Sequence, residues 1–295
     1  MKMNKRTIVI IGNGFDIDLG FSLSFSDYYN YNANLFTSQN LKITIETWNN
    51  FEQSLLELIM ECYNNGKLNE EAIRINALWQ LFKDGLSFFF THAFDKNKKI
   101  NKKSFAYRFL NILPQNSIIY TFNYTNPYDF IPNAPKNELI HVHGEYIQDT
   151  FNKDLLVCSQ ADKMIVGINK IGLPTAFMEN QYIRPLIKRE NLAWKPTHIE
   201  EDLINAESVF IFGFSFGITD SDYFTRFFNK IKNRTSNCRR LIFITNKEES
   251  YNQILSNLES TYGLTKNIFL QYNIQLKPIY TSCKCMYNDP ILEYL

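Results

Sequence analysis

The segment Thr7-Ile-Val-Ile-Ile-Gly-Asn-Gly-Phe-Asp16 constrains this chain more than any other, because an apolar, β-branched run stops abruptly at Gly-Asn-Gly. Such a run, with no polar alternation, reads as a strand buried on both faces, the kind found in parallel sheets. Two glycines at its end let the backbone pass close to a phosphate or ribose, which makes a nucleotide the first ligand to consider. A tight strand-to-helix turn with no ligand explains the glycines equally well at this point. The third glycine of the dinucleotide fingerprint G-x-G-x-x-G is absent, since Ile17 holds its place, so a hydride-transferring Rossmann enzyme is disfavoured.

Further strand-like runs occur at Ser117 to Phe122, Leu139 to Val142, Met164 to Val166, Ser208 to Phe212 and Leu241 to Thr245. Several are separated by helical patterns, which predicts an α/β fold with a doubly wound, mostly parallel sheet. The first two strands are too far apart for one crossover helix. Phe51, Leu55, Leu58, Ile59 and Cys62 fall at helical spacing, as do Ile75, Leu78, Trp79, Phe82, Leu86 and Phe89, so the intervening stretch is a helical insertion, over about residues 27–113. A looser stretch, about 148–193, carries a turn at Lys170 to Pro174 and a helix over Gln181 to Glu190 that Pro185 starts or kinks. It is a candidate lid. Pro196 to Asp202 reads as a helix start with acidic residues in its first turn. With 295 residues the chain has room for one large domain with insertions or for two. The expectation taken forward is a single domain.

Bulk properties narrow the function classes. Hydrophobic residues at 45% and charged residues at 21% exclude a disordered chain. A formal charge of +1 gives no global footprint for nucleic acid, although Lys96 to Lys103 and Lys230 to Arg240 are locally basic. No apolar run approaches the ~20 residues of a membrane span, so the expected location is the cytoplasm, with no membrane partner. The five cysteines, Cys62, Cys158, Cys238, Cys283 and Cys285, form no C-x-x-C pair, which argues against a disulfide framework and a zinc knot. Cys283 and Cys285 are expected to be reduced and partly buried.

Polar or glycine-rich turns follow four of the strands: Gly12 to Asp16, Thr121-Phe-Asn-Tyr-Thr-Asn126, His141-Val-His-Gly144, and Gly213-Phe-Ser-Phe-Gly217 with Thr219-Asp-Ser-Asp222 behind it. Ligands of open α/β sheets bind at such carboxyl ends. In this order, and with Trp48-Asn-Asn-Phe-Glu52 as a Trp-x-x-x-Glu helix start, the motifs resemble the bacteriophage abortive infection AbiH family from Ile8 to about Tyr223. That family in turn resembles, more distantly, the sirtuin-like NAD-binding proteins. The resemblance implies a sirtuin-like or Rossmann-type sheet, an antiphage role, and NAD or a related nucleotide as ligand or substrate. A toxic activity would need to be held off until infection, which makes a phage-derived trigger and a homo-oligomer the partners to expect, and no metal is expected.

Residue by residue, the resemblance puts Gly12, Asn13, Gly14, Phe15 and Asp16 at the pyrophosphate turn, and Asn123 beside the nicotinamide ribose. His143, before Gly144, takes the place of the catalytic histidine. Gly213 and Ser215 match a turn that contacts the adenosine half. Thr125 stands where an aspartate is expected beside the nicotinamide, and the four-cysteine zinc module of the protein deacylases is absent. A deacylase is therefore a poor reading.

Cleavage of the nicotinamide–ribose bond passes through an oxocarbenium-like state, so a site must hold a water and stabilise developing positive charge. Asn123 suits the first task, and His143 belongs to the residue type that exchanges protons near neutral pH. Asp16 is either a negative charge near the sugar or an N-cap. His141 and His143 share a strand face in an H-x-H pair, a weak metal signal with only His92 and His198 left to complete it. Asp220 and Asp222 either cap the helix that follows or bond ribose hydroxyls. Glu52 points into a cleft or, more commonly for its type, into solvent. Two other functions stay open: a nucleotide sensor without turnover, motivated by Thr125, and a nucleic-acid-directed toxin acting through the two basic stretches.

Overall fold

The structure is a computed structural model and describes residues 7–21, 23, 25–31, 48–93, 100–146, 164–169, 173–191 and 194–282. Its elements, in chain order, are β1 (Thr7–Ile11), α1 (Asn13–Leu19), α2 (Phe25–Tyr31), α3 (Trp48–Asn64), α4 (Leu68–Ala93), α5 (Phe105–Ile112), β2 (Ile118–Thr121), α6 (Pro127–Phe130) and β3 (Glu138–His141). Next come α7 (Thr175–Glu179), α8 (Ile199–Asn205), β4 (Ser208–Phe212), α9 (Thr225–Lys232), β5 (Arg240–Thr245), α10 (Glu248–Tyr262), α11 (Lys266–Gln271) and β6 (Gln275–Tyr280). The chain forms two compact units: one of residues 1–21, 99–142 and 196–295, the other of residues 22–98 and 143–195.

The first unit is built on a six-stranded sheet of order β3-β2-β1-β4-β5-β6 with every pair parallel. Alternation along each strand sends side chains to opposite faces, and both faces are covered. Ile8, Ile10, Tyr120, Val209, Ile211, Leu241 and Phe243 pack with residues of α8, α9, α10 and α11. On the other face, the Phe212 ring meets Phe15 of α1 at 5.1 Å and Phe109 of α5 at 5.7 Å. Double coverage explains why β1 and β4 read as unbroken apolar runs rather than alternating ones. The order reverses between β1 and β4, where doubly wound sheets open their ligand crevice.

β6 does not stand out in the sequence. It is an edge strand, Gln-Leu-Lys-Pro-Ile-Tyr, with only Ile279 fully buried, and an edge tolerates the proline that a central strand rejects.

The second unit contains α2, α3, α4 and α7. The predicted amphipathic helices are the long α3 and α4, with Ile59, Ile75, Trp79, Phe82 and Leu86 buried. Tyr28 of α2 donates its hydroxyl to the Phe82 carbonyl at 3.0 Å. Met164 to Val166 is not a sheet strand; the neighbouring chain makes a single parallel bridge, Ile168 to Ile187. Its backbone bonds are mixed rather than a ladder: the Ile165 amide donates to the His143 carbonyl at 2.8 Å, Trp79 Nε1 donates to the Val166 carbonyl at 3.0 Å, and the Gly167 amide donates to Glu52 at 3.2 Å. Two short 3-10 turns, Arg184–Leu186 and Lys188–Glu190, replace the helix expected over Gln181 to Glu190, with Pro185 in the first of them. Cys62 and Cys238 are buried free thiols. Cys158, Cys283, Cys285, Lys96 to Lys99, Lys170 to Gly172 and residues 148–163 of the candidate lid lie outside the described residues. Among the described residues no helix is long and apolar enough to cross a membrane.

Candidate functional site

Four loops of the first unit meet at the carboxyl ends of β1, β2, β4 and β5. The turn after β1 and the turn after β4 press backbone against backbone. The Gly12 amide donates to the Phe212 carbonyl at 2.9 Å and the Gly14 amide to the Gly213 carbonyl at 3.1 Å. A Cβ on Gly12 would stand 2.6 Å from the Gly213 carbonyl oxygen, and one on Gly14 would stand 2.6 Å from the Gly213 Cα. Gly213 itself adopts φ +61°, the left-handed region. All three glycines are thus accounted for by mutual packing, and the amides of Gly12 and Gly14 are spent within the protein. Gly213→Ala is expected to lower stability by about 2–3 kcal/mol, from left-handed backbone strain and a clash with Gly14. A chemical-denaturation midpoint equal to that of the unaltered chain would contradict this account.

Beside this glycine contact lies a closed polar network. Asp16 sits in the first turn of α1, 3% exposed, and accepts a hydrogen bond from Thr125 Oγ1 at 2.6 Å. Burial raises its carboxyl to about 7, against the opposing hydrogen bonds from Thr125 and Asn123. Asp16 is not the N-cap, a position held by Gly12 with no side-chain bond. Asn123 donates from Nδ2 to the Gly12 carbonyl at 3.0 Å, and its own amide donates to Thr121 Oγ1 at 3.1 Å. His141 Nδ1 lies 3.3 Å from the Asn123 carbonyl oxygen. Asp16, Asn123 and Thr125, far apart in the chain, are therefore one cluster.

A second feature is an open cleft of about 500 Å³ lined by Gly14, Ile17, Asp18, Gly213, Ser215 and Thr245 among others. That volume falls within the range of small-molecule sites. Asn246, Ser250, Gln253 and Thr281 add hydroxyl and amide groups to its wall. None of these four was singled out from the sequence. The polar turn after β5 carried the same strand-end signal as the others, whereas Thr281 follows the inconspicuous β6. Asp18 also anchors a neighbouring helix: its Oδ2 accepts from the Ala106 amide at 2.7 Å, and burial raises its carboxyl against that bond and one from Thr281.

The remaining expected residues are placed as follows. Asn13 opens α1, while Phe15 is fully buried against Phe212, which makes its ring core. Ser215 is exposed on the cleft, and its carbonyl accepts from Asn257 at 2.8 Å. Asp220 is buried within a 3-10 turn, Ile218–Tyr223; neither it nor Asp222 caps α9, whose N-cap is Phe224 with no side-chain bond. His143 is buried and belongs to the second unit, where its carbonyl accepts from the Ile165 amide at 2.8 Å.

Glu52, also in the second unit, is not a solvated carboxylate. It pairs with Lys188 at 2.9 Å, and both side chains are largely buried, 12% and 3% exposed. Trp48 begins α3, but its side chain lies outside the described residues. Among the described residues no three of His, Cys, Asp or Glu are grouped closely enough to hold a metal ion.

No curated protein is detectably similar to the chain. The family model described as "Bacteriophage abortive infection AbiH" matches residues 8–243, a span that includes the glycine turns, the polar network and both long helices. The parallel α/β sheet, the motif order and this match agree, and the chain belongs to the bacteriophage abortive infection AbiH family.

Proposed function

We propose that this abortive infection protein binds NAD or a related nucleotide at the carboxyl edge of the first unit's sheet and hydrolyses the nicotinamide–ribose bond. The observation that carries the reading is the buried Asp16–Thr125–Asn123 cluster at the ends of adjacent strands β1 and β2, beside the point where strand order reverses. A buried carboxyl held near neutral pH is a feature that catalytic sites cultivate. In the proposed reaction, water adds to the anomeric carbon of the ribose as the carbon–nitrogen bond breaks. Nicotinamide leaves with the bonding electron pair, and the proton of the water passes to a base. Asn123 orients the water, and Asp16 offers negative charge to the developing cation. His143 is the proposed proton acceptor, on its motif alone. The open cleft offers room for the adenosine half. In the cell such an activity is held off until infection, by a phage-derived trigger or a change of oligomer.

Purified protein is incubated with NAD, with and without phage-infected lysate, and nicotinamide and ADP-ribose are followed by chromatography. Asn123→Ala and His143→Ala are each expected to lower turnover by about 100-fold or more, the usual effect of removing a group that acts in the transition state. Unchanged turnover in both variants would remove the assignment. A sensor without turnover is the second reading, favoured because the one carboxylate of the cluster is already bonded to Thr125. NAD bound but left intact, by substoichiometric protein under both conditions, would select it.

A further inference from the structure

At the opposite edge of the first unit's sheet, where β5 and β6 begin, lies a depression of about 170 Å³. Arg234, Ser236, Arg239, Gln271 and Asn273 supply its polar wall. The two arginines are exposed, and among the described residues neither guanidinium has a carboxylate within 4.0 Å or a hydrogen-bond acceptor. Arg234 lies over the Tyr272 ring at 4.7 Å, a contact that fixes the guanidinium plane and leaves its N–H edge for a ligand.

Two other cations of the stretch are engaged within the protein, and Lys230 does not line the depression. Lys232 donates to the Tyr262 carbonyl at 3.0 Å, and Arg240 pairs with Glu207 at 3.5 Å. Arg234 and Arg239 share the wall of one small depression, which is not the cationic track a polynucleotide requires.

The backbone adds an independent observation. Three non-glycine residues of the described chain have positive φ, and two of them, Arg234 at 57° and Asn273 at 56°, line this depression. Arg234 follows the C-cap Asn233 of α9, the place that glycine usually takes. An arginine there carries a backbone cost that a glycine would not.

We infer that this depression is an anion site, separate from the nucleotide site proposed above, which takes the terminal phosphate of a phosphomonoester between Arg234 and Arg239. Two forked guanidinium groups match a dianionic, tetrahedral oxyanion better than a single carboxylate. The volume lies well below the ~300 Å³ lower end of ordinary small-molecule sites, so the site holds the phosphate and not a whole nucleotide. Any remainder of the ligand extends into solvent.

The test is a titration of the full chain with inorganic phosphate at constant ionic strength, read from the Nε–Hε NMR signals of Arg234 and Arg239. Both signals are expected to shift saturably, and sodium chloride alone is expected not to shift them. Arg239→Gln should weaken the saturation seen at Arg234 by about tenfold, the worth of one charge-assisted hydrogen-bonding group. Lys230→Gln, which removes the same charge from the same stretch, should leave the titration unaltered. A second arm uses ribose 5-phosphate: tighter binding than inorganic phosphate assigns a sugar phosphate, and equal binding assigns the free ion. No saturable shift, or equal weakening by Lys230→Gln and Arg239→Gln, overturns the site.

Discussion

Lys188→Met is expected to destabilise the second unit by about 3–5 kcal/mol, the cost of leaving a buried charge without its partner. The charge left behind is Glu52, which in the native structure receives both the Lys188 ammonium at 2.9 Å and the Gly167 amide at 3.2 Å. Glu52→Leu alone should cost a similar amount, because it takes the paired carboxylate from the ammonium of Lys188, a side chain only 3% exposed. The double variant Glu52→Leu/Lys188→Met should recover most of the loss, since a buried ion pair replaced as a whole by apolar side chains of similar size is near neutral. Hydrogen exchange of the α4 amides, or the denaturation midpoint read from Trp79 fluorescence, reports the unit directly. Additive losses in the double variant would mean that the two side chains do not act as a pair.

Asp16→Asn is expected to stabilise the first unit at pH 8 by up to about 4 kcal/mol, from a carboxyl raised by about 3 pH units. The sign follows from proton binding. The folded carboxyl titrates at about 7 against an ordinary value of 3.8, so between those values the folded state holds a proton that the unfolded state has lost. Stability of the unaltered chain therefore falls as pH rises from about 4 to about 7, and the penalty is complete above that window. The asparagine has no proton to lose, and its carbonyl oxygen still accepts from Thr125. Denaturation midpoints for the two proteins should coincide near pH 4 and diverge towards pH 8. A gap that does not change with pH would refute the assignment of burial as its cause. The same variant should be the poorer enzyme if the proposed hydrolysis uses this charge, a trade of activity for stability common at functional sites.

The Asp16 case also shows where sequence reading stopped. Its burial comes from the packing of β1 and β2 side by side, which brings Thr125 to within 2.6 Å across 109 residues of chain. Nothing in the local pattern distinguishes that arrangement from an N-cap. The same holds for Glu52: helical spacing fixed its place on α3, but its partner Lys188 lies 136 residues away. Met164 to Val166 is a contrary case, an apolar triplet that forms no sheet ladder: its hydrogen bonds go one by one to the His143 carbonyl, to Trp79 and, next door, to Glu52.

What the sequence determined by itself was local and periodic. Unbroken β-branched runs gave β1, β2, β4 and β5, because strands buried on both faces need apolar side chains at every position. Spacing of 3 and 4 residues gave α3 and α4, and the order of polar turns gave the family. Tertiary structure alone decided the pairings: that three glycines are required by each other, that Thr125 faces a carboxylate supplied from β1's turn, and that Thr281 joins the cleft. Those depend on which strand ends become neighbours, and a contact between residues a hundred apart leaves no period in the chain that records it.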